Sequence, residues 1–321
     1  MYEISVFIMK RRVLQLCNWD LPMIERHLDM IKEAGFTTIQ TSPLQPCKPI
    51  WTDNNRIKEY SPDWYNQIHK EFWKNYQIYD FSIGNHLGNE KDYISLCEKA
   101  HEIGLEICVD VVLRHLAGDD YGSPIPHQDC NKAIVNRKDF FMNDNRKADN
   151  FEDRDATLKG CLGGLPTLNY ENKDLQEQFY LPFLLKILEY GDGIRIDMCH
   201  HFGVPSEGYT FFDNVIDKLP KNKYISGECN SLNDYQLEEY SKYVVPILHY
   251  GQWYGHKNGQ YYMENHDTVL SFLMNLYMSS PVRLCEYENA LRRNGDTLFY
   301  ARQNDELIFS EQIKELHIQY K

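Results

Sequence analysis

Gly193-Ile194-Arg195-Ile196-Asp197 reads as a short buried strand that carries a charged pair to its carboxyl end. Side chains alternate across a strand, so Ile194 and Ile196 share one face while Arg195 and Asp197 share the other. Burying a guanidinium or a carboxylate is costly unless the two meet partners, so the pair marks a site rather than plain core. Upstream, Leu175 to Tyr190 has the apolar spacing of a helix. Downstream, a predicted helix around Tyr209 to Leu219 leads to a second strand, Tyr224 to Glu228, which also ends on an acid.

Strand followed by helix repeats in both directions from this stretch. Toward the amino end lie predicted strands at Val13 to Cys17, Thr37 to Ser42 and Glu106 to Leu113. Asp20 caps one helix, with Pro22 in its first turn and Leu21, Ile24, Leu28 and Ile31 along one face. Asn89 caps another, whose apolar face is Tyr93, Leu96, Cys97, Ala100 and Ile103. Toward the carboxyl end come a helix over Asp234 to Tyr243 and strands at Val244 to Tyr250, Tyr261 to Asn265 and Thr297 to Ala301. Strand-then-helix units in this number predict an α/β fold, a (β/α)8 TIM barrel with its active residues at the carboxyl ends of the strands. Two connections are too long to be simple loops. One, over 43–89, is rich in aromatics; the other, polar with Gly and Pro, predicts an excursion domain at 115–173 inserted after strand three. The barrel would then comprise 1–114 and 174–321.

Composition narrows the partners. The 321 residues carry 34 Lys and Arg against 47 Asp and Glu, a net charge of −13, and the longest basic run is Lys10-Arg11-Arg12. Nucleic acid and anionic membrane both need a basic face, so neither is an expected partner. A neutral substrate such as a sugar fits. No run reaches the roughly 18 apolar residues of a membrane span. The apolar run Ile4 to Met9 has its charges after it rather than before, unlike a secretory leader, so a cytoplasmic location is expected. The 9 cysteines include no C-x-x-C pair, which favours free thiols over disulfides or zinc.

Four polar clusters close apolar strands: Asp110 to His115, Arg195 with Asp197, Glu228, and His266 with Asp267. Three carboxylates converging on one rim raise each other's pKa, a crowding tolerated where chemistry needs it. Retaining glycoside hydrolysis needs such a set: an ionised carboxylate to attack the anomeric carbon and a protonated one, about 5–5.5 Å away, to protonate the leaving oxygen. Arg195 would keep Asp197 ionised, and burial would raise Glu228 toward the range of an acid catalyst.

The motifs carry a resemblance. Asp110-Val-Val-Leu-Arg-His115, Gly193-Ile-Arg-Ile-Asp197, Gly227-Glu228 and Glu264-Asn-His-Asp267 resemble the four signatures of the α-amylase family, glycoside hydrolase family thirteen. Leu165-Pro-Thr-Leu-Asn169 resembles its additional signature in the excursion domain. Ile39-Gln-Thr-Ser-Pro43, Tyr76-Gln77 and Ile83-Gly-Asn-His-Leu-Gly88 look most like bacterial saccharifying α-amylases. The resemblance implies Asp197 as nucleophile, Glu228 as acid/base and Asp267 as the residue gripping substrate hydroxyls. It also implies substrate contacts from Tyr76, Gln77, His115, Arg195, His201 and His266, with an α-glucan or oligosaccharide as substrate. A non-catalytic carbohydrate-binding or interaction module is the alternative, and loss of a catalytic carboxylate would mark it.

Four departures stand out. Where the family supplies a calcium ligand just before the histidine of the first signature, this chain has Arg114. The excursion signature has Thr167 in place of an acid. No cofactor is therefore expected; the guanidinium would occupy the calcium position and pair with acids such as Asp110. The second signature ends His200-His201 where the family has Lys-His, so the lysine that binds the leaving sugar is replaced. Too few residues follow strand eight for the family's β-sandwich, so a minimal form or a truncated copy is expected, with apolar barrel surface left for a partner chain or an oligomer contact.

Overall fold

The computed structural model describes residues 11–17, 19–33, 36–48, 72–119, 122–148, 152–229, 232, 234–247 and 297–302. Its main sheet is built from β1 (Arg12–Cys17), β2 (Thr38–Thr41), β3 (Glu106–Val111), β4 (Gly193–Ile196), β5 (Tyr224–Glu228), β6 (Val245–Ile247) and β7 (Thr297–Arg302). Their order is β6-β5-β4-β3-β2-β1-β7, and every pairing is parallel. Consecutive strands are neighbours, and the last returns to lie beside the first, with Arg12 opposite Thr297. That is the connectivity of a (β/α)8 barrel. The strand expected at Tyr261 to Asn265 lies outside the described residues.

Local chemistry sets the element ends. The Asp20 carboxylate accepts from Met23 N at 2.8 Å and starts α1 (Leu21–Arg26). His27, whose Nδ1 lies 2.8 Å from Met23 O, ends it, and α2 (Leu28–Glu33) follows; one helix had been expected here. Asn89 and Asp92 form a reciprocal capping box at the start of α3 (Glu90–Glu102). Tyr93, Leu96, Cys97 and Ala100 are its buried face. β3 stops at Val111, short of Leu113, because Gln45 captures the next residue: its side chain bonds both Val112 N and Val112 O.

The helix predicted over Leu175 to Tyr190 is divided into a turn at Lys173–Leu175, a π-turn at Gln176–Tyr180 and a regular helix at Leu181–Tyr190. Pro182 has no N–H to give to the preceding turn, which accounts for the widened winding there. The helix expected around Tyr209 to Leu219 is a four-residue helix, Phe211–Asn214, followed by a 3-10 turn, Ile216–Lys218.

Between β3 and Lys173 the chain contributes no strand to the sheet among the described residues. It is tied by isolated bridges, His115 with Thr167 and Phe141 with Leu168 among them. Ile134, Phe140 and Leu168 belong to the same buried cluster as Ile107, Val109, Ile194 and Ile196 of the strands, so this excursion shares the barrel's core. No disulfide joins Cys47, Cys97, Cys108, Cys130, Cys161 or Cys199. Among the described residues, no helix is long and apolar enough to cross a membrane.

Candidate active site

Strand register builds the site. β3 and β4 align Asp110 with Arg195, and β4 and β5 align Arg195 with Ser226, which puts Glu228 two residues further along, on the same side. The Arg195 guanidinium sits among the three acids. Its Nη1 donates to both Asp110 carboxylate oxygens at 3.0 and 2.9 Å and to Asp197 Oδ1 at 3.1 Å. Its Nη2 donates to Glu228 Oε2 at 2.9 Å. Arg195 and Asp110 are wholly buried, whereas Asp197 and Glu228 keep 6% and 5% of their surface exposed. Two carboxylates are thus presented at the rim, and a third lies beneath them on the same cation. Burial pushes the Asp110 carboxyl above its usual range, against the opposing pull of Arg195 and of the Tyr76 hydroxyl.

The turn after β4 links the two rim acids. Asp197 N continues the ladder to Val111 O at 3.0 Å. Met198 then adopts a left-handed conformation (φ 49°, ψ 40°), unusual for a residue with a side chain. That twist points Met198 N–H at Glu228 Oε2, 2.9 Å away. Cys199–His201 form a 3-10 turn packed on β5. The approach is close enough that a Cβ on Gly227 would lie 2.5 Å from Cys199 Sγ, so only glycine fits before Glu228.

The other expected residues divide. Tyr76 is buried and its hydroxyl donates to Asp110 Oδ2 at 2.9 Å, so it buttresses the acid cluster. Gln77 is buried nearby in sequence, and its Oε1 has no partner among the described residues. His115 is buried too; desolvation lowers its pKa to about 4, leaving a neutral ring near neutral pH. His201 is another residue from which the resemblance implied a substrate contact. It is fully buried, with Nδ1 donating to Thr157 O at 2.8 Å, because the 3-10 turn rotates it toward the excursion. His266 and Asp267 lie outside the described residues. From sequence, Asp110 falls in a strand-end cluster and in the first motif but has no role toward Arg195, and Met198 is not singled out. Asp110 carried a signal, a charge within an apolar strand opposite Arg195; the bend at Met198 carried none.

The expected pairing of Arg114 with acids is also corrected. Its guanidinium is wholly buried and donates to two backbone carbonyls, Leu168 O at 2.7 Å and Leu158 O at 2.6 Å, while lying 5.0 Å from the Tyr170 ring centroid. Asp110 is engaged elsewhere, by Arg195 and Tyr76. Calcium requires several oxygen ligands converging on one point. Here a fixed cation takes the two carbonyls, and Thr167 Oγ1 is turned to Leu165 O and Leu162 N. These residues do not fit a calcium ion.

A family model described as the catalytic domain of alpha amylase matches residues 18–276. The α-amylase of Butyrivibrio fibrisolvens is 26% identical over 244 residues, covering 75% of this chain and 23% of that protein. The α-amylase of Clostridium acetobutylicum is 28% identical over 246 residues, covering 72% of this chain and 29% of that protein. The chain therefore spans less than a third of either relative. The solved α-amylase of Geobacillus thermoleovorans, complexed with acarbose, superposes with a TM-score of 0.53 at 21% identity, covering 74% of this chain and 51% of that one.

Proposed function

Because this chain belongs to the α-amylase catalytic-domain family, we propose that it is a retaining glycoside hydrolase cleaving α-1,4-glucosidic bonds in starch-like α-glucans or maltooligosaccharides. The observation that carries this is the pair of rim carboxylates, Asp197 and Glu228, held by one guanidinium. Asp197, kept anionic by Arg195, attacks the anomeric carbon as Glu228 gives its proton to the departing glucosidic oxygen. The carbon–oxygen bond breaks and a glycosyl ester on Asp197 forms. Glu228, now a carboxylate, takes a proton from water, which attacks the same carbon and releases Asp197. Asp267 is assigned to substrate binding by the resemblance, as are His115, His266 and Gln77.

The test is reducing-sugar release from starch, maltodextrin and pullulan. Glu228→Gln is expected to lower the rate on starch by about a hundredfold or more, the usual contribution of a general acid. A wild-type protein inert on all three glucans would leave the fold without this chemistry.

We also infer that calcium has no part in folding or turnover, since Arg114 already supplies a charge to the carbonyls that tie the excursion to β3. A chelator is then expected to leave both the unfolding midpoint and the hydrolysis rate unchanged. Loss of a saturated metal site would remove about 2–3 kcal/mol and lower the midpoint by roughly 5 °C. A shift of that size would refute the inference.

A further inference from the structure

We propose that His200 is a positioning residue for Glu228, holding the acid/base from behind through its main chain; this rests on the glycosidase function proposed above. Where the resemblance puts a lysine that reaches the leaving sugar, this ring points inward and is wholly buried. Its Nδ1–H donates to the carbonyl oxygen of Glu228 at 3.1 Å. Burial lowers its pKa to about 4, so near neutral pH it acts as a fixed, uncharged donor.

The residue is itself held through its main chain. The carbonyl of His200 accepts from Arg154 Nη1 at 2.6 Å. Arg154 is fixed by a two-point pair with Glu207, at 2.7 and 2.8 Å, and by the Tyr240 hydroxyl at 3.0 Å. The His201 ring lies beside that of His200, with centroids 4.2 Å apart and the planes tilted by 43°. The excursion, the loop after β4 and the helix Asp234–Ser241 thus converge on one carbonyl.

Asp197 begins the turn and His200 stands three residues on, so this short piece of chain carries the nucleophile and grips the backbone of the acid/base. Met198 N–H takes the side chain of Glu228 and His200 takes its main chain. Proton transfer to a leaving oxygen depends on placement to within a fraction of an ångström. Loss of the ring should therefore affect the step that needs the proton more than the steps that do not.

The experiment compares kcat/KM on maltotriose, whose leaving sugar needs protonation, with kcat/KM on α-maltosyl fluoride, whose fluoride departs with little help. His200→Leu is expected to lower the first by about ten- to a hundredfold and the second only about two- to threefold. His200→Asn, whose amide nitrogen sits near the place of Nδ1, should recover most of the loss on maltotriose. His200→Gln, whose amide lies near the place of Nε2, should not. Thermal unfolding of each variant is followed alongside, and if His200→Leu does not fold, the Asn and Gln pair carries the comparison. Equal losses on both substrates, no loss on either, or equal behaviour of Asn and Gln would overturn the proposal. A wild-type protein inactive on both substrates would instead remove the glycosidase function, and this role with it.

Discussion

Arg195→Met should produce a protein that turns over no α-glucan and is about 3–5 kcal/mol less stable at pH 7.5, the cost of stranding buried charge. The side chain is wholly buried and donates to Asp110, Asp197 and Glu228 together. Methionine fills much of the volume but offers no donor. Asp110 suffers most, being wholly buried with only the Tyr76 hydroxyl remaining of the partners described for it. Burial already raises its pKa, and removal of the cation would raise it further.

The sign of the pH dependence follows from linkage. A carboxyl whose folded pKa lies above its unfolded value costs stability once pH exceeds the unfolded value, and the cost disappears as pH falls below it. The deficit of Arg195→Met relative to wild type should therefore shrink between pH 7.5 and pH 4.5. Urea unfolding at the two pH values measures it. A deficit under about 1 kcal/mol at both would mean that the acids do not depend on this guanidinium.

Asp197→Asn is the second large effect. The amide keeps the shape of the side chain and can still accept from Arg195, so the fold should tolerate it, but it cannot form the glycosyl ester. A rate loss of about a thousandfold, near 4 kcal/mol of transition-state stabilisation, is expected on maltooligosaccharides. The unfolding midpoint should stay within a few degrees of wild type. Proton NMR of the first product from wild-type protein should show the α-anomer before mutarotation, since two inversions restore the starting configuration. First appearance of the β-anomer would assign Asp197 to activating water instead.

How much of this was written locally in the chain differs from residue to residue. The caps at Asp20 and Asn89 were legible because each side chain satisfies backbone donors within three residues of itself. Arg195 with Asp197 was legible because a strand's alternation puts both on one face. The break at His27 was not, since the spacing of Leu21, Ile24, Leu28 and Ile31 suits one helix as well as two. The partners of Arg114 were hidden for a different reason. They are carbonyls of Leu158 and Leu168, and a backbone oxygen leaves no mark on residue type. The inward facing of His201 depends on the left-handed twist at Met198, a conformation that nothing about methionine announces.

The shared guanidinium also bears on how the chain finds its native alignment. Arg195 joins side chains from β3, β4 and the end of β5. A slip of β4 by one residue would swing the cation to the opposite face of the sheet and leave the buried Asp110 with only the Tyr76 hydroxyl among its described partners. A β4 strand out of register would thereby carry an electrostatic penalty with no substrate present. The constellation proposed for catalysis would thus also favour correct assembly, since the three ion pairs form only when the middle strands are matched in register.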